Sequence, residues 1–291
     1  MSPSSPRSTN RKKSDWTVVE MLEWATAYFE ERSIPAPRLS IEWLLAHVLQ
    51  VKRLDLYLKF DRPLSRLELD TLKPLVQRRA LHEPLQYITG STDFYNITLN
   101  VTSDVLIPRP ETEQLVDMIL KNHPDKEAVT VLDVGTGSGC IALALKKARP
   151  EWDITAIDIS DDALAVARIN AERASLDVAF HHGDLGTYRP DKKMDIIVSN
   201  PPYVHRHESE ELERQVLEYE PVTALITDDP AGIYSGLLKL CRVAMAPDGT
   251  FYFEINESDG NDLVTLCRRE LFDCRLHKDD ARKPRFISGT F

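Results

Sequence analysis

Apolar residues recur three or four positions apart near the start of the chain, which is the spacing of one face of a helix. They do so at Val18, Met21, Leu22, Ala25, Tyr28 and Phe29, and again at Ile41, Leu44, Leu45, Val48 and Leu49. Similar patterns predict helices over residues 54–60 and 65–81, so residues 15–88 are predicted to form a small N-terminal helical bundle domain. Residues 1–14 contain Ser, Pro, Arg and Lys without an apolar run, which predicts a disordered tail.

The pattern changes after Pro84. Residues 95–106 nearly alternate between apolar and polar side chains, which predicts a β-hairpin within a linker over residues 89–110. From Glu111 to Ile255, helical patterns alternate with short apolar runs, and such alternation is typical of βαβ units. Residues 111–291 are therefore predicted to be an α/β domain whose mostly parallel sheet is covered on both faces.

One strand-like run, residues 129–134, ends in a glycine-rich turn, Gly135-Thr136-Gly137-Ser138-Gly139, and an Ala- and Leu-rich helical pattern follows. Glycines allow a tight turn and a close approach of the backbone to a ligand, and the first N–H groups of the helix remain unpaired. A second predicted strand is followed by Asp158, about twenty residues beyond the loop, where a carboxylate can bind two ribose hydroxyls. This arrangement predicts a site for a cofactor that carries a nucleoside.

The spacing of the loop restricts which cofactor fits. Glycine-rich βαβ units also bind NAD and FAD, but here the glycines follow the pattern G-x-G-x-G rather than G-x-G-x-x-G. Asp133, within the end of the first strand, would repel a pyrophosphate and would suit the ammonium group of S-adenosylmethionine, either directly or through the loop that it supports. Its alternative role is a buried cap for the turn. Asp184 follows the third predicted strand near the expected adenine edge, or is an ordinary turn aspartate.

Four residues, Asn200-Pro201-Pro202-Tyr203, follow the apolar run 196–198, which is predicted to be a buried strand. An amide nitrogen is a poor nucleophile because its lone pair is delocalised, so a site that alkylates it must accept its hydrogen bonds. Asn200 offers a side-chain carbonyl and Pro201 a backbone carbonyl, and consecutive prolines keep both fixed. Tyr203 adds a flat face for stacking. Taken alone, the tripeptide Asn-Pro-Pro is more typical of a proline-rich turn that ends a strand, and the glycine-rich segment upstream reverses that preference.

The order of these motifs, from the glycine loop through Asp158 and Asp184 to residues 200–203, resembles class I S-adenosylmethionine-dependent methyltransferases that act on amino groups. Three further stretches narrow the resemblance. Ile-Pro-Arg-Pro-Glu-Thr-Glu occupies residues 107–113, Glu-Pro-Leu-Gln-Tyr residues 83–87, and Glu-Pro residues 220–221. With them, the chain resembles the PrmC/HemK family, the glutamine N5-methyltransferases of peptide chain release factors, from about Trp16 to near its C-terminus.

The resemblance implies a Rossmann-like, seven-stranded sheet preceded by a helical domain that recognises the release factor. It implies methyl transfer from S-adenosylmethionine to the side-chain amide nitrogen (N5) of the glutamine in a Gly-Gly-Gln motif, with S-adenosyl-L-homocysteine as product. The cofactor would be held by Asp133, Gly135, Thr136, Gly137, Ser138, Gly139, Asp158, Asp184, Leu185 and Asn200. The glutamine would be held by Asn200, Pro201, Pro202, Tyr203, Phe94 and Arg109, with Asn200, Pro201 and Tyr203 as the catalytic residues.

Two positions depart from the family pattern. Leu185 is aliphatic where an aromatic residue often follows the acid, which puts stacking on the adenine in doubt. The run Glu254-Ile255-Asn256 lacks the glycine that the family more often has two residues after the glutamate, which leaves the geometry of that loop open.

Several candidate residues also have plain structural alternatives. Phe94 is as readily explained as a core residue of a strand, and Arg109 as part of an exposed turn before a helix start. The acidic stretch 205–232 either folds over the acceptor or contains a solvated surface helix over residues 208–219.

Charge is divided unequally along the chain. Residues 1–90 carry 14 basic and 11 acidic side chains, a net charge of +3, whereas the remainder carries 22 and 35, a net charge of −13. A duplex-DNA enzyme needs a basic surface to neutralise phosphates, so a protein acceptor fits better and no direct nucleic-acid partner is expected. No apolar run approaches the roughly twenty residues that span a bilayer, so no membrane partner is expected.

Neither disulfide nor metal chemistry is expected. The four cysteines contain no C-x-x-C pair and lie in apolar or helical surroundings, which predicts reduced core thiols in a cytoplasmic protein. The pairs His181-His182 and His205 with His207 have no accompanying ligands at metal-binding spacing, so no metal site is predicted.

Other functions stay open on the sequence alone. A ribosomal-protein glutamine methyltransferase shares the glycine loop and the NPPY tetrapeptide, but that family typically carries serine where Arg109-Pro110 stand here. An adenine N6-methyltransferase shares NPPY and needs basic, aromatic-lined contacts to nucleic acid. A non-catalytic S-adenosylmethionine-binding module has no need of the amide acceptors, so the tetrapeptide argues against it.

Overall fold

The computed structural model describes residues 16–124 and 128–291, so the predicted tail over residues 1–14 lies outside the described residues. The chain divides into two compact units, Met1–Thr89 and Gly90–Phe291. The first unit is helical, as the sequence predicts. Its helices are α1 Val18–Glu30, α2 Pro37–Leu49, α3 Arg66–Ala80 and α4 Leu85–Thr89, with a 3-10 helix at Arg53–Leu58.

Local sequence explains where the helices of the first unit begin. Thr17 caps α1 and Ser65 caps α3, and each forms a capping box with the glutamate three residues later. The apolar faces of the helices meet in one core, in which Leu22, Leu44 and Leu45 are completely buried.

The second unit contains two β-ribbons and a seven-stranded sheet within its described residues. Its strands are β1 Ser91–Phe94, β2 Ile97–Asn100, β3 Thr130–Val134, β4 Asp153–Asp158, β5 Ala179–His182, β6 Met194–Ser199, β7 Val204–His205, β8 Ile226–Thr227, β9 Met245–Glu254, β10 Asp273–Lys278 and β11 Pro284–Thr290. Its helices are α5 Pro110–Asn122, α6 Cys140–Ala148, α7 Asp161–Ala174, α8 Arg214–Tyr219, α9 Val222–Leu225, α10 Pro230–Ala244 and α11 Gly260–Arg269, with a 3-10 helix at Arg206–Glu211.

The large sheet has the strand order β10-β11-β9-β6-β3-β4-β5, in which β11 runs antiparallel to both neighbours and the other pairs are parallel. This confirms the predicted fold class. From the central strand β3 the chain proceeds to β4 on one side, and later to β6 on the other. At such a switch point the loops after neighbouring strands diverge and leave a crevice. The carboxyl ends of β3 to β6 therefore carry the candidate site.

Alternating side chains of the central strands face two apolar layers, one on each side of the sheet. In β6, Ile196 and Val198 pack with α5, α6 and the hairpin β1–β2, whereas Ile197 packs with α10 and α11. All three side chains are completely buried. Burial on both faces explains why this strand reads as a continuous apolar run rather than an alternating one.

The hairpin lies closer to the N-terminus than predicted. β1 and β2 pair from Ser91 with Asn100 to Phe94 with Ile97, so the pairing ends before residue 106. Tyr95 and Asn96 form the turn with φ values of 47° and 61°, the left-handed geometry that suits the twist of a two-residue hairpin. Two-residue turns of this kind usually contain Asn-Gly or Asp-Gly, and Tyr95-Asn96 lacks that signature. The alternation of apolar and polar side chains alone therefore does not show where the turn lies.

Asn170 on α7 ties the hairpin to the glycine-rich turn, and its side chain is almost completely buried. Its Nδ2 donates to the carbonyl of Asn100 at 3.0 Å and to that of Ser138 at 2.9 Å. Its Oδ1 accepts a hydrogen bond from the N–H of Asn100 at 2.6 Å. One side-chain amide thus satisfies three backbone groups of two separate segments.

We expect Asn170→Ala to lower the free energy of unfolding by about 2–4 kcal/mol, because the backbone groups of Asn100 and Ser138 would lose buried partners. Urea unfolding followed by circular dichroism measures this loss. Asn261→Ala, at an exposed position of α11, is the matched control and should change the free energy by no more than about 0.5 kcal/mol. A loss below about 1 kcal/mol for Asn170→Ala would mean that apolar packing alone holds the hairpin.

Candidate functional site

The glycine-rich turn follows β3 and opens α6. Gly135, Gly137 and Gly139 have φ values of 72°, 55° and 81°, which glycine adopts without strain. The N–H groups of Gly135 and Thr136 donate to the carbonyl of Ile157 on β4, at 2.9 and 3.0 Å. A Cβ added at Gly135 or Gly137 would meet no atom within 4 Å, so this backbone faces open space.

That space is a cavity of about 590 Å³ at the carboxyl ends of the parallel strands. The glycine-rich turn forms one wall, and Asn200, Pro201 and Pro202 form another. Pro108 and Pro221, from two of the three stretches that narrow the resemblance, also line it. The structure therefore brings together in one cavity motifs that lie as far apart in the chain as residues 108 and 221.

Asp158 ends β4 beside the turn and lines the cavity. Its Oδ2 accepts a hydrogen bond from the N–H of Gly137 at 2.8 Å, and its Oδ1 accepts one from the N–H of Ser160 at 3.0 Å. The carboxylate is thus fixed between the turn and the start of α7. This is the position predicted for the residue that binds the ribose.

Asp133 lies beneath the turn, fully buried, and does not line the cavity. The hydroxyl of Thr136 donates to its Oδ2 at 2.6 Å. Burial raises the pKa of Asp133 to about 7, although the hydrogen bond from Thr136 opposes the shift. Of the two roles considered for Asp133, support of the turn therefore fits its place better than direct contact with an ammonium group.

Ser138 is a cavity residue with an unsatisfied hydroxyl. Its Oγ is buried and has no hydrogen-bond partner among the described residues. The same is true of Oδ1 of Asp133. Buried polar atoms without partners are rare in folded proteins and are concentrated at functional positions.

Asp184 and Leu185 follow β5 and line the cavity. The Oδ1 of Asp184 accepts a hydrogen bond from the N–H of Gly186 at 2.9 Å, so the residue is a turn aspartate as well as a wall of the cavity. Leu185 packs against α10, where a Cβ added at Gly236 would lie 3.0 Å from the leucine side chain. An aliphatic side chain thus occupies the place where the family often has an aromatic ring.

In the NPPY tetrapeptide, the side chain of Asn200 donates from Nδ2 to Oγ1 of Thr112 at 3.2 Å. Its Oδ1 accepts no hydrogen bond from the described part of the chain. Tyr203 lies outside the cavity lining, and its hydroxyl donates to Oε1 of Glu254 at 3.0 Å. Burial, together with the negative charge of Glu254, raises the pKa of Tyr203 well above its usual value.

Phe94 and Arg109 do not reach the cavity in the way predicted for acceptor contacts. Phe94 is 1% exposed and packs in the core, because the register of β1 points its side chain inward. Arg109 donates from Nη2 to Oε1 of Glu220 at 2.5 Å, and Glu220 also accepts from the N–H of Ile107 at 3.1 Å. Arg109 thus joins two walls of the cavity, since Pro108 and Pro221 are the neighbours of this pair.

Thr112 and Glu254 are site residues that the sequence did not reveal. Thr112, the third residue of α5, donates from Oγ1 to Oε2 of Glu254 at 2.8 Å. Glu254 is completely buried, which raises its pKa, while the hydrogen bonds from Thr112 and Tyr203 oppose the shift. A carboxylate at the end of the apolar run Phe251–Glu254 was the available signal, but its partners lie 51 and 142 residues away along the chain.

Asn256 takes part in holding the tetrapeptide. Its Nδ2 donates to the carbonyl of Tyr203 at 3.3 Å and to Oε2 of Glu208 at 2.8 Å. Its own φ is not positive, so the position does not require glycine. Asn256 stands where the family more often has glycine, and its side chain thus adds these two hydrogen bonds.

The acidic stretch after the tetrapeptide combines features of both predicted structures. Residues 208–219 do not form one helix, because Leu212 and Glu213 have extended backbones with ψ values of 144° and 141° and separate the 3-10 helix from α8. Pro221, Thr223 and Ala224 farther along line the cavity.

Within residues 16–124 and 128–291, no helix has the length and apolarity to cross a membrane. Over the same residues, no three His, Cys, Asp or Glu side chains are grouped so as to hold a metal ion. The cysteines are all unpaired, with Cys241 and Cys267 buried.

Known proteins are similar to this chain along most of its length. The PrmC N-terminal domain model matches residues 20–90, and the Methyltransferase small domain model matches residues 111–219. A release factor glutamine methyltransferase of Geobacter sulfurreducens is 37% identical over 96% of this chain and 98% of its own length. Another, of Bacteroides thetaiotaomicron, is 41% identical over 84% of this chain and 88% of its own.

The sheet order, the glycine-rich turn and Asp158 define a class I S-adenosylmethionine-dependent methyltransferase. With relatives of this identity, the chain belongs to the release factor glutamine methyltransferase family.

Among solved structures, a ribosomal protein L11 methylase from Lactobacillus delbrueckii subsp. bulgaricus is 22% identical to this chain. The two superpose with a TM-score of 0.47 over 65% of this chain and 81% of that one. A likeness at this level has no bearing on function.

Proposed function

We propose that this protein transfers a methyl group from S-adenosylmethionine to the side-chain amide nitrogen (N5) of the glutamine in the Gly-Gly-Gln motif of peptide chain release factors. The observation that carries the proposal is the shared cavity, in which the amide acceptors Asn200 and Pro201 face the glycine-rich turn and Asp158. The names of the relatives supply the class of acceptor, since those proteins are release factor glutamine methyltransferases.

The chemistry of the cavity suits S-adenosylmethionine. The open backbone at Gly135 and Gly137 allows close approach of its methionine part. We assign Asp158, which lines the same cavity, to accept hydrogen bonds from both ribose hydroxyls. Asp184 and Leu185 form the wall assigned to the adenine. Because Leu185 is aliphatic, it contributes apolar contact there rather than aromatic stacking.

When bound, S-adenosylmethionine supplies a methyl group whose S–C bond breaks as the new N–C bond forms, leaving neutral S-adenosylhomocysteine. Asn200 Oδ1 and the Pro201 carbonyl accept the two N–H groups of the glutamine amide, which fixes the nitrogen and favours its pyramidal form. Positive charge develops on the nitrogen, so these hydrogen bonds strengthen in the transition state. One proton then leaves the nitrogen for water, which restores a neutral amide.

Tyr203 serves this arrangement from outside the cavity. Its hydroxyl is held by Glu254 and its carbonyl by Asn256. We therefore assign Tyr203 to fixing the backbone of the tetrapeptide, in place of the stacking on the acceptor that the sequence suggested.

The parts of the chain are assigned accordingly. Residues 15–88 are the domain that recognises the release factor, residues 89–110 the linker with its hairpin, and residues 111–291 the methyltransferase domain. The protein acts in the cytoplasm, where release factors work. The match of the PrmC N-terminal domain model to residues 20–90 supports the first of these assignments.

Mass spectrometry of a recombinant release factor tests the function. After incubation with this protein and S-adenosylmethionine, we expect one added methyl group on the Gly-Gly-Gln peptide. The matched control is the same release factor with glutamate in place of that glutamine, which offers no amide nitrogen and should stay unmodified. Methylation of a ribosomal protein or of adenine in nucleic acid, with none on the release factor, would overturn the proposal.

A further inference from the structure

The side chain of Asn200 is the first member of a hydrogen-bonded chain that leads away from the cavity. Asn200 Nδ2 donates to Thr112 Oγ1 at 3.2 Å, and Thr112 Oγ1 donates to Glu254 Oε2 at 2.8 Å. The other oxygen of Glu254 accepts from the hydroxyl of Tyr203 at 3.0 Å. Thr112 and Glu254 are 1% and 0% exposed, so water does not compete for these bonds.

The chain of donors and acceptors has a fixed direction. An ionised carboxylate only accepts hydrogen bonds, so in its ionised form Glu254 receives the single hydroxyl proton of Thr112. The oxygen of Thr112 is then left to accept, and the group of Asn200 that can donate to it is the NH2 group. The carbonyl Oδ1 of Asn200 is consequently the end of the amide that turns away from Thr112.

This direction matters because the two ends of an asparagine amide are nearly equal in shape. An Oδ1 atom that faces the cavity accepts an N–H of the incoming amide, whereas an NH2 group in that place would repel it. Nothing within the tetrapeptide itself distinguishes the two orientations. The distinction is made by a threonine on α5 and a glutamate on β9, which are distant in sequence from Asn200.

We propose that Thr112, held by Glu254, is a positioning residue that fixes the orientation of the Asn200 amide so that its carbonyl oxygen faces the methyl acceptor. The proposal rests on the proposed function, because it assumes that an amide is the acceptor. Thr112 acts through Asn200, and its effect is therefore lost when the Asn200 side chain is removed.

Thr112→Val removes the hydroxyl and keeps the shape. We expect it to lower kcat for release factor methylation about 10- to 100-fold, since a small misplacement of a reacting group is costly, while the Kd for S-adenosylmethionine changes little. The Tm should fall by a few degrees, because the buried carboxylate of Glu254 loses a hydrogen-bond donor. Thr112→Ser retains the hydroxyl and should stay within about threefold of the natural protein. Thr265→Val, at an exposed position of α11, is the matched control for loss of a threonine hydroxyl.

A double-mutant cycle separates positioning from a general structural role. In an Asn200→Ala background, Thr112→Val should have almost no further effect on kcat, because the group that it orients is absent. If Thr112→Val lowered kcat by the same factor in both backgrounds, the proposal would be overturned.

Nuclear magnetic resonance tests the orientation without any assay of activity. The side-chain amide signals of Asn200 are identified by their loss in Asn200→Ala. The proton donated to Thr112 should shift in Thr112→Val and keep its position in Thr112→Ser, and unchanged signals in both variants would refute the proposal. If the natural protein methylates no release factor, the proposed function fails, and this comparison still decides the role of Thr112.

Discussion

Replacing Asn200 with alanine is expected to lower the rate of methyl transfer by about 10²–10³-fold, the range found when one placed dipole is removed from a charge-developing transition state. The carbonyl oxygen of Asn200 accepts an N–H of the acceptor amide, and that bond gains strength as the nitrogen becomes positive. Single-turnover kinetics with a release factor measures the rate, and calorimetric titration measures the affinity for S-adenosylmethionine. The affinity should change by less than about threefold.

The prediction for Asn200→Ala is a large loss of rate with a nearly unchanged affinity for S-adenosylmethionine. Asn261→Ala, in which an exposed asparagine on α11 is removed, should leave both quantities unchanged. Equal losses of rate and affinity in Asn200→Ala would show that Asn200 shapes the cofactor site and does not orient the acceptor.

Asp158→Ala should instead lower the affinity for S-adenosylmethionine much more than the rate of methyl transfer. A carboxylate that accepts two ribose hydroxyls contributes roughly 1.5–3 kcal/mol for each hydrogen bond, so its removal is expected to weaken S-adenosylmethionine binding about 100-fold or more. The loss also frees the N–H of Gly137, which Asp158 holds at 2.8 Å. Titration of the free protein measures the effect. At saturating cofactor, the rate of the chemical step should recover to a large extent.

Asp161→Ala is the matched control, because Asp161 lies three residues farther along, at the exposed start of α7. It removes the same charge from the same region without touching the cavity. If the two variants weakened binding equally, overall charge and not a ribose contact would explain the loss.

Short-range patterns were sufficient for the features that local sequence determines. The glycine-rich turn and Asp158 were predicted from a strand, a turn and a helix in succession, and the positive φ values of Gly135 and Gly137 agree with that. The buried strand before Asn200 was likewise visible as an apolar run. These elements can be predicted without information from distant residues, because hydrophobic periodicity and glycine-rich turns depend only on neighbouring residues.

Contacts between distant segments were not predictable in this way. In the sequence, Thr112 is visible only as part of the stretch 107–113, and Glu254 only as the glutamate two residues before the missing glycine. The two are nevertheless hydrogen-bonded across 142 residues. Arg109 was assigned to the acceptor, and its actual partner, Glu220, lies 111 residues away. A single sequence shows the chemical type of such residues but not which of them the fold brings together.

The position of the turn between β1 and β2 could not be predicted from the sequence pattern either. Alternation of apolar and polar residues indicates a hairpin but fits several pairing registers of the two strands. Tyr95 adopts a left-handed backbone conformation, which is unusual for a tyrosine in such a turn. The extended pair Leu212-Glu213 similarly interrupts a stretch whose composition favours one helix.

The short parallel ribbon formed by β7 and β8 has a consequence for how this enzyme family can change. Val204 pairs with Ile226 and His205 with Thr227, so the residues between these strands leave and return at points one strand spacing apart, about 4.8 Å. Lengthening a loop with fixed ends costs only about 0.6 kcal/mol for each doubling of its length. Changes in length between residues 206 and 225 that spare Glu208, Glu220 and the cavity residues Pro221, Thr223 and Ala224 are therefore compatible with an unmoved Asn200, so this segment can grow or shrink while the tetrapeptide keeps its place.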